Sequence, residues 1–253
     1  MLRRITTISR ITFHEAARSR LFYLTLGFLA LLILIATPYA YATLGEPLDV
    51  IKNSGLAGAS LGSISAIIII GSTFLQKELS RRTIHLLLSR PLQRWELLVG
   101  KFIGLSLVGT ALFIVMVSGV VGYTAALGDS IDWRLLWAIP YGIYEVIILS
   151  AVVIFFSTLV VTPVLNGMGA LSIFIAGRSQ EWMAINANSS QGVIASLPRQ
   201  IIPDLASLQV LDGLIYNELP SIAHASFSAA YSVLYCLSLL ILSAAIFKRR
   251  DIS

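Results

Sequence analysis

Four stretches of this chain, residues 21–44, 56–75, 102–127 and 221–247, contain no lysine, arginine, aspartate or glutamate. A bilayer hydrocarbon core about 30 Å thick needs about 20 apolar residues per helix at 1.5 Å of rise each, so each stretch is long enough to cross it once. A fifth stretch, residues 135–177, is 43 residues long and holds one charge, Glu145. It is too long for one span and suits two, joined by a tight turn at Thr162-Pro163 or Asn166-Gly167, since proline lacks a helical donor and Asn-Gly tolerates left-handed geometry. The sum is six spans. Of the 253 residues, 57% are hydrophobic and 12% charged; soluble domains hold about 25% charged residues, so a water-soluble enzyme is excluded. The single cysteine, Cys236, excludes an intramolecular disulfide, a CxxC redox pair and a cysteine-rich metal site.

The few charges orient the spans, because cytoplasmic loops collect lysine and arginine. Arg3, Arg4, Arg10, Arg18 and Arg20 precede the first span, and Lys77, Arg81, Arg82, Arg90, Arg94 and Lys101 lie between the second and third. Lys248, Arg249 and Arg250 follow the last, so these regions hold 14 of the 18 basic residues. The opposite side keeps Lys52, Arg134, Arg178 and Arg199 against eight acids. Both termini are therefore expected in the cytoplasm, and counting the 43-residue stretch as one span would strand the C-terminal basic cluster outside. The net charge of +5 is then a topological signal, and no nucleic-acid partner is implied.

The layout expected is an all-α membrane protein. Residues 1–20 form an amphipathic interfacial helix, with Leu2, Ile5, Ile8, Thr12, Phe13 and Ala16 on one face and Arg3, Arg10, His14 and Arg18 on the other; a basic tail without fixed structure is the plainer alternative. The apolar run behind it is too long for a cleaved signal peptide and reads as a retained anchor. Residues 21–253 form the transmembrane domain, with spans at about 21–44, 56–75, 99–127, 135–160, 162–177 and 221–247. Residues 178–220 form an extracytoplasmic loop, in which Ile201, Leu205, Leu208, Leu211 and Ile215 recur at helical spacing and predict short outer-surface helices before the last span.

Site chemistry is sparse. There is no HExxH, no cluster of metal-ligating residues and no GxxxxGK[ST] phosphate loop, so no catalytic residue, metal or cofactor is expected in this chain. Glu145 is the one ionisable group at membrane depth, too few for an ion-coupled carrier. It has two readings. In the first it lines a substrate path with Tyr141 and Tyr144; in the second it is a protonated carboxyl bonded to one of those tyrosines or to a neighbouring helix. The small-residue ladder Gly58, Gly62 and Ala66, flanked by Gly55, Ala59 and Ser63, permits close helix approach, either within the chain or between subunits.

The richest segment is the loop at residues 76–97. It alternates charge clusters with Ile84-Leu86-Leu87-Leu88, a patch too short to span anything, and Pro91 closes it. A new helix is predicted from about Gln93, with Trp95 at the interface and Glu96 in the first turn, where the helix dipole favours an anion. Glu78, Arg82-Thr83, Leu86-Leu87-Leu88, Ser89-Arg90-Pro91, Arg94-Trp95-Glu96-Leu97 and Gly100-Lys101 together resemble the permease subunits of type-2 ABC exporters. The chain is most similar to compact six-span members such as the permease of the nitrous-oxide-reductase maturation transporter. Arg82 stands where many members have glycine.

The resemblance implies an ATP-driven exporter in the bacterial inner membrane, built from two permease copies and two cytoplasmic ABC ATPases. ATP and magnesium would be bound by the ATPase partner. Glu78, Arg81, Arg82, Thr83, Arg90, Pro91, Arg94, Glu96 and Lys101 would couple to it; membrane lipids and an extracytoplasmic accessory protein complete the partners it admits. On residues alone, the basic side chains of the loop would also serve as inside anchors on anionic lipid. A scaffold that recruits a cytoplasmic protein without transport is the alternative function.

Overall fold

A computed structural model describes residues 2–42, 46–80, 94–128, 133–160, 162–180, 202–209 and 221–249. Among them every regular element is helical: α1 (Leu2–Ala17), α2 (Arg20–Ala42), α3 (Pro47–Ser80), α4 (Arg94–Ala126), a 3-10 turn (Trp133–Trp137), α5 (Ala138–Leu159), α6 (Pro163–Arg178) and α7 (Ile222–Arg249). Five of these, α2, α3, α4, α5 and α7, are long and apolar enough to cross a membrane. α6 has 16 residues, about 24 Å of helix, which falls short of a bilayer core.

α3 and α5 form the inside of the bundle. α3 packs on α2, α4, α5 and α6, while α5 packs on α3, α4, α6 and α7. α2 and α7 are mostly uncovered and present Leu24, Phe28, Leu31, Leu34 and Ile35 on one helix, and Phe227, Val233, Leu234, Leu237 and Ile241 on the other. So large an exposed apolar area would be untenable in water and is the normal outside of a helix bundle in lipid.

The small-residue ladder is resolved as packing within the chain. A Cβ added at Gly55 would meet Val120 of α4 at 2.8 Å, one at Gly58 would meet Leu32 of α2 at 2.7 Å, and one at Gly62 would meet Met116 at 2.8 Å. Ala59, Ser63 and Ala66 are buried beside them. With little hydrophobic drive between helices in lipid, close backbone approach of this kind supplies the packing. α3 also begins earlier than the uncharged stretch implies: the helix takes in Asp49 in its first turn and Lys52, which is buried.

α1 puts its amphipathic face against α4. A Cβ at Gly100 would meet Ile8 at 2.7 Å, and one at Gly104 would meet Thr12 at 2.6 Å and the Ser9 carbonyl oxygen at 2.9 Å. Contacts advance four residues along both helices, so α1 runs alongside α4 in the same direction over that turn. Ser9, Thr12 and Ala16 are buried there, while Arg3, Arg10, His14 and Arg18 remain exposed. The expected apolar face is thus largely used as a packing face, with Ser9 added to it.

Of the loop expected to carry short surface helices, residues 178–220, only 178–180 and 202–209 fall among the described residues. Residues 202–209 are irregular chain rather than a surface helix, and Leu205 and Leu208 belong to the main core. The helical spacing of these leucines reflects two side chains turned inward from turns of the backbone. Ile201, Leu211 and Ile215 lie outside the described residues.

Candidate functional site

Glu145 lies eight residues into α5 and Arg178 is the last residue of α6. Between them the chain reverses: Val160 and Thr162 are extended, and Pro163 opens α6 at a position where its missing donor costs nothing. Glu145 is 17 residues before Thr162 and Arg178 is 16 after it. At 1.5 Å per residue both lie about 25 Å from the turn, so an antiparallel pair brings them level.

They meet as a forked ion pair. Arg178 Nε donates to Glu145 Oε1 at 3.0 Å and Nη2 donates to Oε2 at 3.1 Å. Arg178 Nη2 also donates to Ser60 Oγ of α3 at 2.6 Å, and that hydroxyl donates to Glu145 Oε2 at 2.8 Å. The two charged side chains are 18% and 7% exposed, and the guanidinium lies 5.1 Å from the centre of the Phe174 ring. A buried ion pair is tolerable only when its geometry is good and further hydrogen bonds occupy its remaining atoms. The Arg fork supplies the first and Ser60 the second.

The second reading of Glu145 from sequence allowed a bond to a neighbouring helix but named neither Arg178 nor Ser60. The carboxylate is paired with Arg178, which the charge pattern placed outside, and its bonds go to α3 and α6 rather than to Tyr141 or Tyr144. Tyr141 is 2% exposed; its hydroxyl has no hydrogen-bond partner, and its ring stacks on His224 with centroids 5.9 Å apart. Tyr144 meets Tyr141 edge-on at 6.0 Å. Ser60, Tyr141, Glu145, Arg178, Leu208 and Gln209 contribute to the lining of a cavity of about 20 Å³. That is room for one water molecule and far below a substrate.

Residues 202–209 cover this cluster. Gln180 Nε2 donates to the Ile202 carbonyl at 2.8 Å, the Asp204 N–H donates to Tyr231 Oη at 2.9 Å, and His224 Nε2 is 3.2 Å from the Ser207 carbonyl. A bond to that carbonyl requires the proton on Nε2. Asp204 Oδ1 accepts from the Ser207 N–H at 3.1 Å. Irregular chain survives among membrane helices only where protein satisfies its polar groups, and side chains of α7 and residue 180 do so here.

At the other end of the bundle, α3 continues seven residues beyond the apolar span that ends at Thr73. Glu78 lies in its last turn, Arg94 opens α4, and Glu96 falls in the first turn of α4 as expected. Arg81, Arg82, Thr83, Arg90 and Pro91 lie outside the described residues. Glu96 and Lys101 do not line an open surface: each is 3% exposed, in the part of α4 on which α1 is seated. Among the described residues no group of histidine, cysteine or acidic side chains could hold a metal ion.

Comparison with curated proteins gives no match. The family model described as ABC-2 family transporter protein matches residues 6–252, from the first turns of α1 to beyond the end of α7. With five apolar helices able to cross a membrane and nearly the whole chain matched, this protein belongs to the ABC-2 transporter family and is a membrane permease component.

Proposed function

We propose that the chain is the permease half of an ATP-driven exporter, a subunit whose six membrane-embedded segments include the short α6. Both termini face the cytoplasm of a bacterial inner membrane. Two copies form a homodimer, each served by a cytoplasmic ABC ATPase, and the substrate route runs between the copies. ATP hydrolysis belongs to the partner.

The observation that carries this reading is the overshoot of α3 and α4. They have 34 and 33 residues, about 50 Å each, against about 30 Å of hydrocarbon. Their overshooting ends flank residues 81–93, where the basic cluster lies. A segment anchored at both ends by membrane helices is able to pass a push from an ATPase into the bundle. Glu145 is less suited to meeting a cationic substrate than sequence implied, because Arg178 already neutralises it.

The test is co-purification of the chain with its ATPase. The double variant Glu78→Lys, Arg82→Glu is expected to lose at least ten-fold of the retained ATPase while membrane insertion is unchanged. Full retention would defeat docking at this segment. Stimulation of ATPase activity by candidate substrates, in the reconstituted complex, then reports transport directly.

A further inference from the structure

Beside the seam between α1 and α4 runs an open groove of about 440 Å³, lined by Ile5, Thr6, Ser9, Arg10 and Phe13 of α1 and by Ile103 and Leu107 of α4. Its volume falls within the range of about 300–1,000 Å³ typical of ligand sites. Leu107 is 49% exposed, and Ile5, Phe13 and Ile103 are half-buried. The floor and walls are therefore apolar and incompletely covered by the fold.

One lining residue breaks that pattern. Arg10 is exposed at the edge of the groove, and Arg3, also exposed, precedes it by seven residues, which places both on one face of α1. Arg18 and Arg20 follow beyond the far end of α1, and Glu15 is the single acid in the first 45 residues. An apolar trough with a guanidinium at its edge complements a molecule with an acyl chain and an anionic head. Guanidinium binds phosphate oxygens with two parallel N–H donors, which an ammonium group does not reproduce.

We propose that this groove is a binding site for an anionic phospholipid, with an acyl chain along Ile5, Phe13, Ile103 and Leu107 and the phosphate at Arg10. The leaflet, the cytoplasmic one, rests on the topology proposed above; the site itself does not depend on transport or on ATPase docking. It differs from a general attraction of basic residues to a charged surface, because it has one place for one chain and one principal cation.

Native mass spectrometry of the full chain tests it, with dioleoyl phosphatidylglycerol titrated against dioleoyl phosphatidylcholine. The wild type is expected to retain one phosphatidylglycerol with at least ten-fold preference. Arg10→Gln, at an exposed position, should reduce that preference at least five-fold. Arg18→Gln, outside the groove, should change it less than two-fold. Ile103→Trp, which fills the trough, should remove the retained lipid of either kind. Equal retention of the two lipids, or an Arg10→Gln preference equal to wild type, overturns the proposal. So does a change of oligomeric state in Ile103→Trp with lipid retention intact, which would mean that a second copy occupies the groove.

Discussion

Replacing Arg178 with leucine is expected to destabilise the fold by about 3–5 kcal/mol, the usual cost of stranding one member of a buried ion pair. Glu145 would keep its place in the middle of α5, with Ser60 as its remaining donor, in a cavity with room for a single water. For a chain of this length each kcal/mol moves the melting temperature by about 2–4 °C, so a drop of roughly 10 °C in detergent is the expected result. Glu145→Gln should cost less. Its amide still accepts from Arg178, and the guanidinium, 18% exposed against 7% for the carboxylate, is the partner better able to turn toward water.

The pair of single variants is informative mainly through the double one. Glu145→Leu with Arg178→Met removes both charges and replaces them by apolar side chains of similar length, an exchange that is often neutral or stabilising for buried pairs. Most of the loss in Arg178→Leu should therefore be recovered. Equal melting temperatures for Arg178→Leu and the wild type would show that Glu145 has another sufficient partner. If the double variant is no better than Arg178→Leu alone, the contribution of Arg178 lies in packing on Phe174 rather than in its charge.

The long apolar segments, a reversal near Pro163, with Asn166-Gly167 as the other candidate, and a new helix from about Gln93 were legible because each depends on local chemistry: segment length, a missing amide proton, a dipole-matched acid. Pairing across the bundle was not. Arg178 sits at the end of an uncharged stretch, and a rule that sorts basic residues by side of the membrane assigns it to the loop that follows. The signal that could have found it is the near symmetry of Glu145 and Arg178 about the turn, since an antiparallel hairpin brings equidistant residues level. The leucines at 205 and 208 were misread for a related reason. Helical spacing and two inward turns of irregular chain give the same short pattern, and only the covering of the Glu145 cluster distinguishes them. Likewise, nothing in the local sequence marks Glu96 and Lys101 as enclosed, because their burial is set by helices distant in the sequence that pack on α4.

How firmly residues 202–209 cover the cluster is set by one glycine. A Cβ on Gly177 would stand 2.7 Å from the Pro203 carbonyl oxygen and 2.9 Å from two side-chain carbons of Leu205. Neither neighbour yields easily, since one is backbone and the other is fully buried. Gly177→Val therefore forces the covering segment outward, while α6 itself accepts a valine at small cost near its end. Overpacking of this kind costs about 1–3 kcal/mol, which shifts the balance between seated and displaced segment by roughly five- to 150-fold. Leu208 is 5% exposed, so Leu208→Cys reports the displacement. Cys236→Ala, at the chain's one native cysteine, removes the background. In that pair the rate of modification by a membrane-impermeant maleimide should be slow, and adding Gly177→Val should raise it at least about five-fold with helix content unchanged. A rate that stays slow in a folded Gly177→Val protein would mean that the segment is held by Tyr231, Gln180 and His224 strongly enough to absorb the added methyl groups. The contact at Gly177 would then be adjustable packing, with no control over access to Glu145 and Arg178.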